Sequence, residues 1–165
     1  MTIRAGVLAD THLLQPDHRF CLQVQHCFAG CDVIIHAGDI TGLGVLEVLS
    51  GRQLHAVHGN MCDGPTRARY PAKKLFPIGS FTIGLTHGAG LGTDIEGALW
   101  QQFPEADCMI YGHTHQPACH RYGQVLMLNP GSFRGTGSYG APGTYAILEI
   151  GEQLLATIHE VPALP

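Results

Sequence analysis

Basic residues are scarce in this sequence: Lys and Arg number 9 of 165 residues, against 13 Asp and Glu and a net charge of −4. A surface with so little positive charge excludes broad nucleic-acid binding, although it leaves open a nucleotide as a small substrate. Hydrophobic residues make up 45% and charged residues only 13%, which excludes a disordered chain. The length is typical of one domain, so we expect a single domain over residues 1–165.

The sequence also lacks paired cysteines, targeting signals and long apolar runs. Its six Cys form no CxxC pair, so neither a zinc finger nor a disulfide framework is expected. No signal-peptide pattern precedes Asp10, and no run of about 20 apolar residues is long enough to span a membrane. We therefore expect a cytoplasmic protein with reduced thiols and no membrane partner, and leave a homo-oligomer open.

Histidine and glycine are abundant instead. The 11 His outnumber Lys and Arg together, and the 22 Gly indicate many tight loops. Imidazole groups on such loops are able to bind metal ions or to move protons. The sequence therefore favours chemistry that is carried by loop residues.

Apolar runs in the first half predict a β-α-β beginning. The runs at 2–9, 32–37 and 54–58 are typical of buried parallel strands, and apolar residues at helical spacing predict helices over 17–28 and 43–49. The segment that contains Pro65 and Pro71 is predicted to be a loop. Further elements are a hairpin of 74–78 with 81–85, a weak helix over 95–103 and a buried strand at 107–111.

The last third of the chain is predicted to consist of antiparallel strands. Its apolar runs lie at 118–122, 125–128, 144–150 and 154–160. The glycine-rich stretch 131–143 is predicted to be a long loop within the domain.

Polar residues follow five successive strands of this prediction. They are Asp10 with His12, then Asp39, Asn60 and His87, and finally His113 with His115. Because ligands bind outside the carboxyl ends of strands in open α/β sheets, we expect these side chains to meet there. Two Asp, one Asn and four His suit Mn, Fe, Ni, Co or Zn better than Ca or Mg, which prefer oxygen ligands alone.

Seven ligands exceed the need of one ion and favour two ions about 3.5 to 4 Å apart that share a carboxylate. Asp39 is the candidate bridge. Two such ions activate a bridging water as a nucleophile and hold phosphate oxygens, so the predicted chemistry is phosphoester hydrolysis. We expect Mn, with Ni, Fe, Co or Zn as alternatives, and predict that Asp39, Asn60 and His87 act at the catalytic centre.

Each of these motifs also has an ordinary interpretation when it is taken alone. His12 then becomes a loop histidine, and Gly38-Asp39 a simple turn. The ordered series, with every member at a strand end, favours a metal site over these interpretations. His36 and His58 lie within strands and are expected to be ordinary buried or cross-strand histidines, with the orientation of a metal ligand as the alternative.

Six sequence blocks carry a resemblance to a known family. They are Asp10-Thr11-His12, Gly38-Asp39, Gly59-Asn60, Thr86-His87-Gly88, Gly112-His113-Thr114-His115 and Asn129-Pro130-Gly131-Ser132. Through them the chain resembles the calcineurin-like metallophosphoesterase superfamily, and within it the YfcE-like small phosphodiesterases, to which the retromer scaffold subunit is related. The resemblance implies an α/β fold: a four-layer α-β-β-α sandwich of two mixed sheets packed face to face, with helices outside.

The resemblance also implies a ligand set and a function. It places Asp10, His12, Asp39 and His115 around one ion, and Asp39, Asn60, His87 and His113 around a second. The implied activity is a metal-dependent phosphodiesterase or phosphatase acting on a small phosphoester. The alternative is a non-enzymatic interaction scaffold with a vestigial metal site, as in the retromer-type relatives, although here every ligand position is filled.

The chain departs from the family pattern after Asn60. Larger relatives carry a His there to protonate the leaving group, whereas this chain has Met61, which donates no proton. The YfcE-like branch carries Asp at the next position, and here that position is Cys62. Arg67 and Arg69 farther along are expected either to contact phosphate oxygens or to be solvated. Because Met61 donates no proton, we expect a preference for substrates with good leaving groups.

Overall fold

The computed structural model describes residues 1–135 and 141–165, so the predicted loop 131–143 lies partly outside the described residues. The strands are β1 (Ile3–Leu8), β2 (Val33–His36), β3 (Gln53–Ala56), β4 (Lys73–Ile78), β5 (Phe81–Thr86), β6 (Cys108–Ile110), β7 (Ala118–Tyr122), β8 (Val125–Asn129), β9 (Thr144–Ile150) and β10 (Leu154–Glu160). The helices are α1 (His18–Cys27), α2 (Gly44–Glu47), α3 (Gly64–Arg69) and α4 (Ile95–Gln102).

These strands form two mixed sheets of five strands each. The first has the order β10-β9-β1-β2-β3, with β1, β2 and β3 parallel as predicted and β9 antiparallel to both of its neighbours. The second has the order β4-β5-β6-β8-β7, in which β5, β6 and β8 run parallel. The antiparallel prediction for the last third was therefore wrong for β8, because the β7–β8 hairpin places β8 directly beside β6.

Three apolar layers hold the sandwich together. The central layer lies between the sheets and includes Val7 and Ile35 from the first sheet and Leu85 and Ile110 from the second. A second layer packs α1 and α2 on the outer face of the first sheet, and a third packs α4 on the outer face of the second. The predicted four-layer α-β-β-α sandwich is confirmed.

Helix α1 illustrates how the sequence specifies these elements. The Asp17 side chain accepts a hydrogen bond of 2.7 Å from the Phe20 backbone N–H and so caps the first turn. Phe20, Val24 and Cys27 then recur on one face and are buried. Both the start and the buried face of α1 agree with the prediction.

Helix α3 lies in the segment that was predicted to be a loop. Asp63 caps it by accepting a 2.9 Å hydrogen bond from the Thr66 backbone N–H, and Pro65 occupies its first turn, where a missing N–H costs nothing. Thr66 is its buried residue, so no apolar stripe marks it in the sequence. Among the described residues, no helix has the length and apolar character needed to cross a membrane.

Candidate metal centre

The seven predicted ligands come together at one edge of the sandwich. They lie on the loops that follow β1, β2 and β3 in the first sheet and β5 and β6 in the second. Because these strands are parallel within each sheet, their carboxyl ends point to the same edge. Residues 105 positions apart in the sequence, such as Asp10 and His115, are therefore in contact.

Asp10 lies at the centre of the histidines. Its Oδ1 is 3.3 Å from Nε2 of His115, 3.7 Å from Nε2 of His12 and 3.8 Å from Nε2 of His87. The residue is fully buried, and this oxygen has no hydrogen-bond partner among the described residues. A buried carboxylate oxygen without a donor is costly unless a cation compensates it.

Asp39 also reaches histidines of both predicted sets. Its Oδ2 lies 3.1 Å from Nε2 of His87 and 3.8 Å from Nε2 of His12. Its Oδ1 accepts a 2.8 Å hydrogen bond from the Met61 backbone N–H. Burial, the largest single influence, would raise the pKa of the Asp39 carboxyl, but the hydrogen bond and charge of His87, the Met61 N–H and the charge of His12 together hold that pKa below its ordinary value.

The orientation of His87 is fixed by the backbone of the neighbouring loop. Its Nδ1 donates a 2.8 Å hydrogen bond to the carbonyl of Ala37, so Nε2 faces the site. Nε2 lies 3.1 Å from Oδ1 of Asn60 as well as close to both carboxylates. Burial would lower the pKa of His87, yet the hydrogen bond and charge of Asp39, the charge of Asp10 and the hydrogen bond to Ala37 together raise that pKa.

The remaining ligand candidates lie on the solvent side. His12 and His115 are partly buried, and their Nε2 atoms approach to 3.3 Å. His113 is exposed; its ring packs edge-on against His87 at 5.2 Å, and its backbone N–H donates to Oδ2 of Asp10. The carboxylates thus form the floor of the site, and imidazoles form much of its rim.

Two glycines allow the ligand loops to approach one another. A Cβ at Gly38, whose φ is +95°, would lie 2.7 Å from Nδ1 of His87. A Cβ at Gly59 would lie 2.1 Å from Oδ1 of Asp39. The glycines in the Gly38-Asp39 and Gly59-Asn60 motifs are therefore required by the close approach of β2, β3 and β5 loops.

Left-handed backbone is concentrated at the predicted ligands. Among the described residues, positive φ angles at non-glycine positions occur at Asp10 (55°), His12 (47°), Asp39 (53°), Thr41 (75°), His113 (68°) and His115 (60°). Five of these six are candidate metal ligands. Such conformations are unfavourable for residues with a Cβ and persist where the surrounding structure enforces them, which is typical of functional sites.

His36 forms hydrogen bonds to the two loops that carry Asp10 and Asp39. It is fully buried; its Nδ1 accepts a 3.2 Å hydrogen bond from the Gly38 N–H, so its Nε2–H donates to the Thr11 hydroxyl at 3.2 Å. Burial, and next the charge of His87, lower the pKa of His36 to about 3, so it is neutral. His36 is therefore buried, as the sequence predicted, and it joins the two Asp-bearing loops through Thr11 and Gly38.

The Asn129-Pro130-Gly131-Ser132 motif, to which the sequence assigned no role, also holds ligand loops. The Asn129 amide donates to the Gly112 carbonyl at 3.1 Å and to the Thr114 hydroxyl at 3.0 Å. The Ser132 hydroxyl donates to the Asp10 carbonyl at 3.2 Å. The signal was present as a polar turn directly after β8, but its bonding partners are set by the tertiary fold.

The segment after Asn60 is stabilised by its own side chains. Cys62 is buried, and its Sγ accepts a hydrogen bond from the Gly59 N–H at 3.2 Å. Arg67 donates to the Asn60 carbonyl at 2.6 Å and to the Cys62 carbonyl at 3.1 Å. Arg67 is exposed, as one of the two sequence alternatives has it, and it also braces the ligand loop, while the guanidinium of Arg69 lies over the Tyr70 ring.

The donor set fits divalent ions of the borderline-soft class. Two groups of three ligand atoms lie within 4.8 Å of one another: Asp10 with His12 and His115, and Asp10 with Asp39 and His87. Asp10 belongs to both groups. Mixed imidazole and carboxylate donors are typical of such ions.

The comparison with known families agrees with this site. Residues 3–153 match the calcineurin-like phosphoesterase superfamily domain. The chain belongs to the calcineurin-like phosphoesterase superfamily. The predicted family is confirmed, and membership in it supports the broad prediction of a metal-dependent phosphoesterase.

Individual proteins are similar to this chain in sequence or in fold. A "Probable metallophosphoesterase" of Methanothermobacter thermautotrophicus is 35% identical over 130 residues, which is 77% of this chain and 75% of that protein. The structure of Vacuolar Protein Sorting 29 from Cryptosporidium parvum shares the fold, with a TM-score of 0.78 and 21% identity over 98% of this chain and 93% of that one. An archaeal phosphodiesterase shares it with a TM-score of 0.73 and 21% identity over 95% and 100% of the two chains.

Proposed function

We propose that this calcineurin-like phosphoesterase is a phosphodiesterase that depends on two divalent ions, with Mn as the preferred metal. One observation carries the proposal: the buried Oδ1 of Asp10 has no donor among the described residues, yet three imidazole Nε2 atoms lie within 3.8 Å of it. Protons on the imidazoles alone compensate the buried carboxylate charge poorly, whereas cations bound between the carboxylates and the imidazoles compensate it well.

The proposed ligands fall into two sets that share Asp39. The first set is Asp10, His12, Asp39 and His115, and the second is Asp39, Asn60, His87 and His113. The distances of 3.8 and 3.1 Å from Oδ2 of Asp39 to His12 and His87 support its role as the bridge. Asp10 reaches the same histidines, so its charge serves both sets as well.

Divalent ions held there would supply an activated water and would neutralise phosphate oxygens. The protein's own contribution is to fix the donors in advance. Ala37 orients the His87 ring through Nδ1, and Met61 orients the Asp39 carboxylate through its backbone N–H. Donors that are fixed before substrate binds need no reorganisation during the reaction, which lowers its barrier.

Proton supply argues for an ester with a good leaving group. Met61 follows Asn60 at the rim and carries no proton to donate. A phenolate leaves without protonation much more readily than an alkoxide does, so an aryl ester makes less demand on a general acid. The fold shared with an archaeal phosphodiesterase agrees with a diester substrate.

A metal-dependent assay tests the proposal. The chelator-treated protein is incubated with an aryl phosphodiester and an aryl phosphomonoester, each with Mn, Ni, Zn or no metal. We expect hydrolysis only with added metal and a faster reaction of the diester. Equal rates with and without metal would refute metal dependence, and faster monoester hydrolysis would refute the diester preference.

An interaction scaffold is the second candidate function, and the likeness to Vacuolar Protein Sorting 29 favours it. The two candidates differ at the ligand positions. A vestigial site tolerates the loss of ligands, whereas all seven candidate ligands are retained and adjacent here. Metal binding without hydrolysis of any phosphoester would favour the scaffold.

A further inference from the structure

Two large apolar side chains are exposed on the loops that carry the metal ligands. Leu14 is 66% exposed on the loop after β1, and Met61 is 56% exposed on the loop after β3. Both loops are tied to residues 41–42: the Gly42 N–H donates to the Leu13 carbonyl at 3.1 Å, and the Asp63 N–H donates to the Thr41 carbonyl at 2.9 Å. The loops that carry Leu14 and Met61 are therefore linked through residues 41–42.

The site is open to solvent at its rim. Its floor is closed, since Asp10, Asp39 and His87 are all at most 2% exposed. Asn60 and His113 are exposed, so a phosphoester approaches from their side. Met61 follows Asn60 directly, and its backbone N–H bonds to Asp39, which fixes the start of its side chain at the rim.

Two arginines use their guanidinium groups to bind backbone carbonyls of the ligand loops. Arg67 donates to the carbonyls of Asn60 and Cys62, and Arg134 donates to the carbonyl of His12. These contacts brace the loops. The rim beside Met61 thus offers a thioether and methylene surface to whatever group the phosphorus carries.

We propose that Met61 is a specificity-determining residue, against which an apolar ester group of the substrate packs. The inference rests on the proposed phosphodiesterase function for the identity of the substrate. An exposed Met is a flexible and polarisable contact for an aromatic ring or an alkyl chain. Burial of such a group against it is expected to strengthen binding about ten-fold.

Binding of two phosphonates tests this inference without turnover, because their carbon–phosphorus bond is not an ester. Phenylphosphonate and methylphosphonate carry the same charged group and differ in apolar area. Their dissociation constants are measured by calorimetry with the Mn-loaded wild type, Met61→Ser, Met61→Leu and Leu155→Ser. Leu155 is 50% exposed on β10 and serves as the matched control for losing an exposed apolar residue.

We expect the wild type to bind phenylphosphonate about ten-fold more tightly than methylphosphonate. Met61→Ser should reduce that ratio to about two-fold or less, whereas Met61→Leu and Leu155→Ser should retain it. The backbone N–H of residue 61 persists in every variant, so its hydrogen bond to Asp39 does not depend on the side chain that is changed. The metal content of each variant is measured to verify that the bound ions are retained.

An unchanged ratio in Met61→Ser, no preference in the wild type or no binding of either phosphonate would overturn the inference. Hydrolysis of an aryl phosphodiester by the same samples reports on the proposed function separately. If the phenyl preference depends on Met61 but no ester is hydrolysed, the phosphodiesterase proposal fails and the apolar contact stands. If esters are hydrolysed but the ratio of the two phosphonate dissociation constants does not depend on Met61, only the apolar contact fails.

Discussion

Gly59 and Asp39 approach so closely that a Cβ at position 59 would lie 2.1 Å from Oδ1 of Asp39. The same oxygen accepts the Met61 N–H, so the loop after β3 wraps around the Asp39 carboxylate. Only a residue without a side chain permits this contact. The geometry of the metal centre therefore depends on the absence of a side chain at position 59.

Gly59→Ala is predicted to weaken metal binding at least about ten-fold, because either Asp39 or the Asn60 loop must move. Gly51→Ala is the control, since a Cβ there has no atom within 4 Å. Calorimetric titration of both variants with Mn checks the prediction. Wild-type affinity in Gly59→Ala would show that the site tolerates a shift of this loop.

Arg67→Ala is predicted to lower Mn affinity roughly ten-fold, because the Asn60 loop loses two hydrogen bonds to its carbonyls. Arg69→Ala removes the same charge from the same helix without touching those carbonyls and should bind Mn like the wild type. Comparing the two by calorimetry separates bracing from net charge. Equal losses in both variants would indicate a charge effect only.

His36 is predicted to make the metal-free protein sensitive to acid. Burial, together with the charge of His87, lowers its pKa to about 3 from the ordinary 6.5, so the unfolded chain takes up a proton that the folded chain excludes. The free energy of unfolding should therefore be highest above pH 6.5 and fall towards pH 3, by up to about 1.4 kcal/mol per pH unit from this residue.

Denaturant unfolding of the wild type and His36→Gln in the presence of chelator checks this pH dependence. The amide retains one acceptor and one donor but does not titrate. We expect a smaller loss of stability between pH 6.5 and pH 3 in the variant. An equal loss of stability in the wild type and in His36→Gln would show that other groups cause the acid sensitivity.

Metal binding is predicted to release a proton from His87. Burial opposes protonation, but the hydrogen bond and charge of Asp39, the charge of Asp10 and the hydrogen bond to Ala37 together raise its pKa above the ordinary 6.5, which favours the protonated form, whereas a metal ligand must be neutral. Mn affinity should therefore rise with pH across this range. Calorimetry in buffers of different ionisation enthalpy measures the released protons, and a binding enthalpy indifferent to the buffer would contradict the prediction.

Much of the fold was predictable because apolar runs and polar strand ends lie in sequence order. The strands and the loops bearing Asp10, Asp39 and His87 are local patterns. Helix α3 was missed because only Thr66 is buried in it. The parallel pairing of β8 with β6 was missed because it joins distant segments, which local periodicity does not specify.

The candidate site was likewise predictable only in part. Residue types and their positions after strands predicted which side chains meet. Their supporting contacts were not predictable, since the bonds of His36 to Thr11 and of Asn129 to Thr114 link separate loops. Nor does the sequence indicate that Asp10 and His115 adopt left-handed backbone, which the tertiary structure imposes.

Metal occupancy and phosphodiester hydrolysis, measured on the same samples, test the central claim most directly. Chelator-treated wild type and Asp10→Asn are titrated with Mn, and bound metal and rate are recorded at each step. The account predicts that the wild-type rate rises with occupancy up to two ions per chain and that Asp10→Asn loses at least about 100-fold in rate. Hydrolysis that persists without metal, or two bound ions with no hydrolysis, would contradict it.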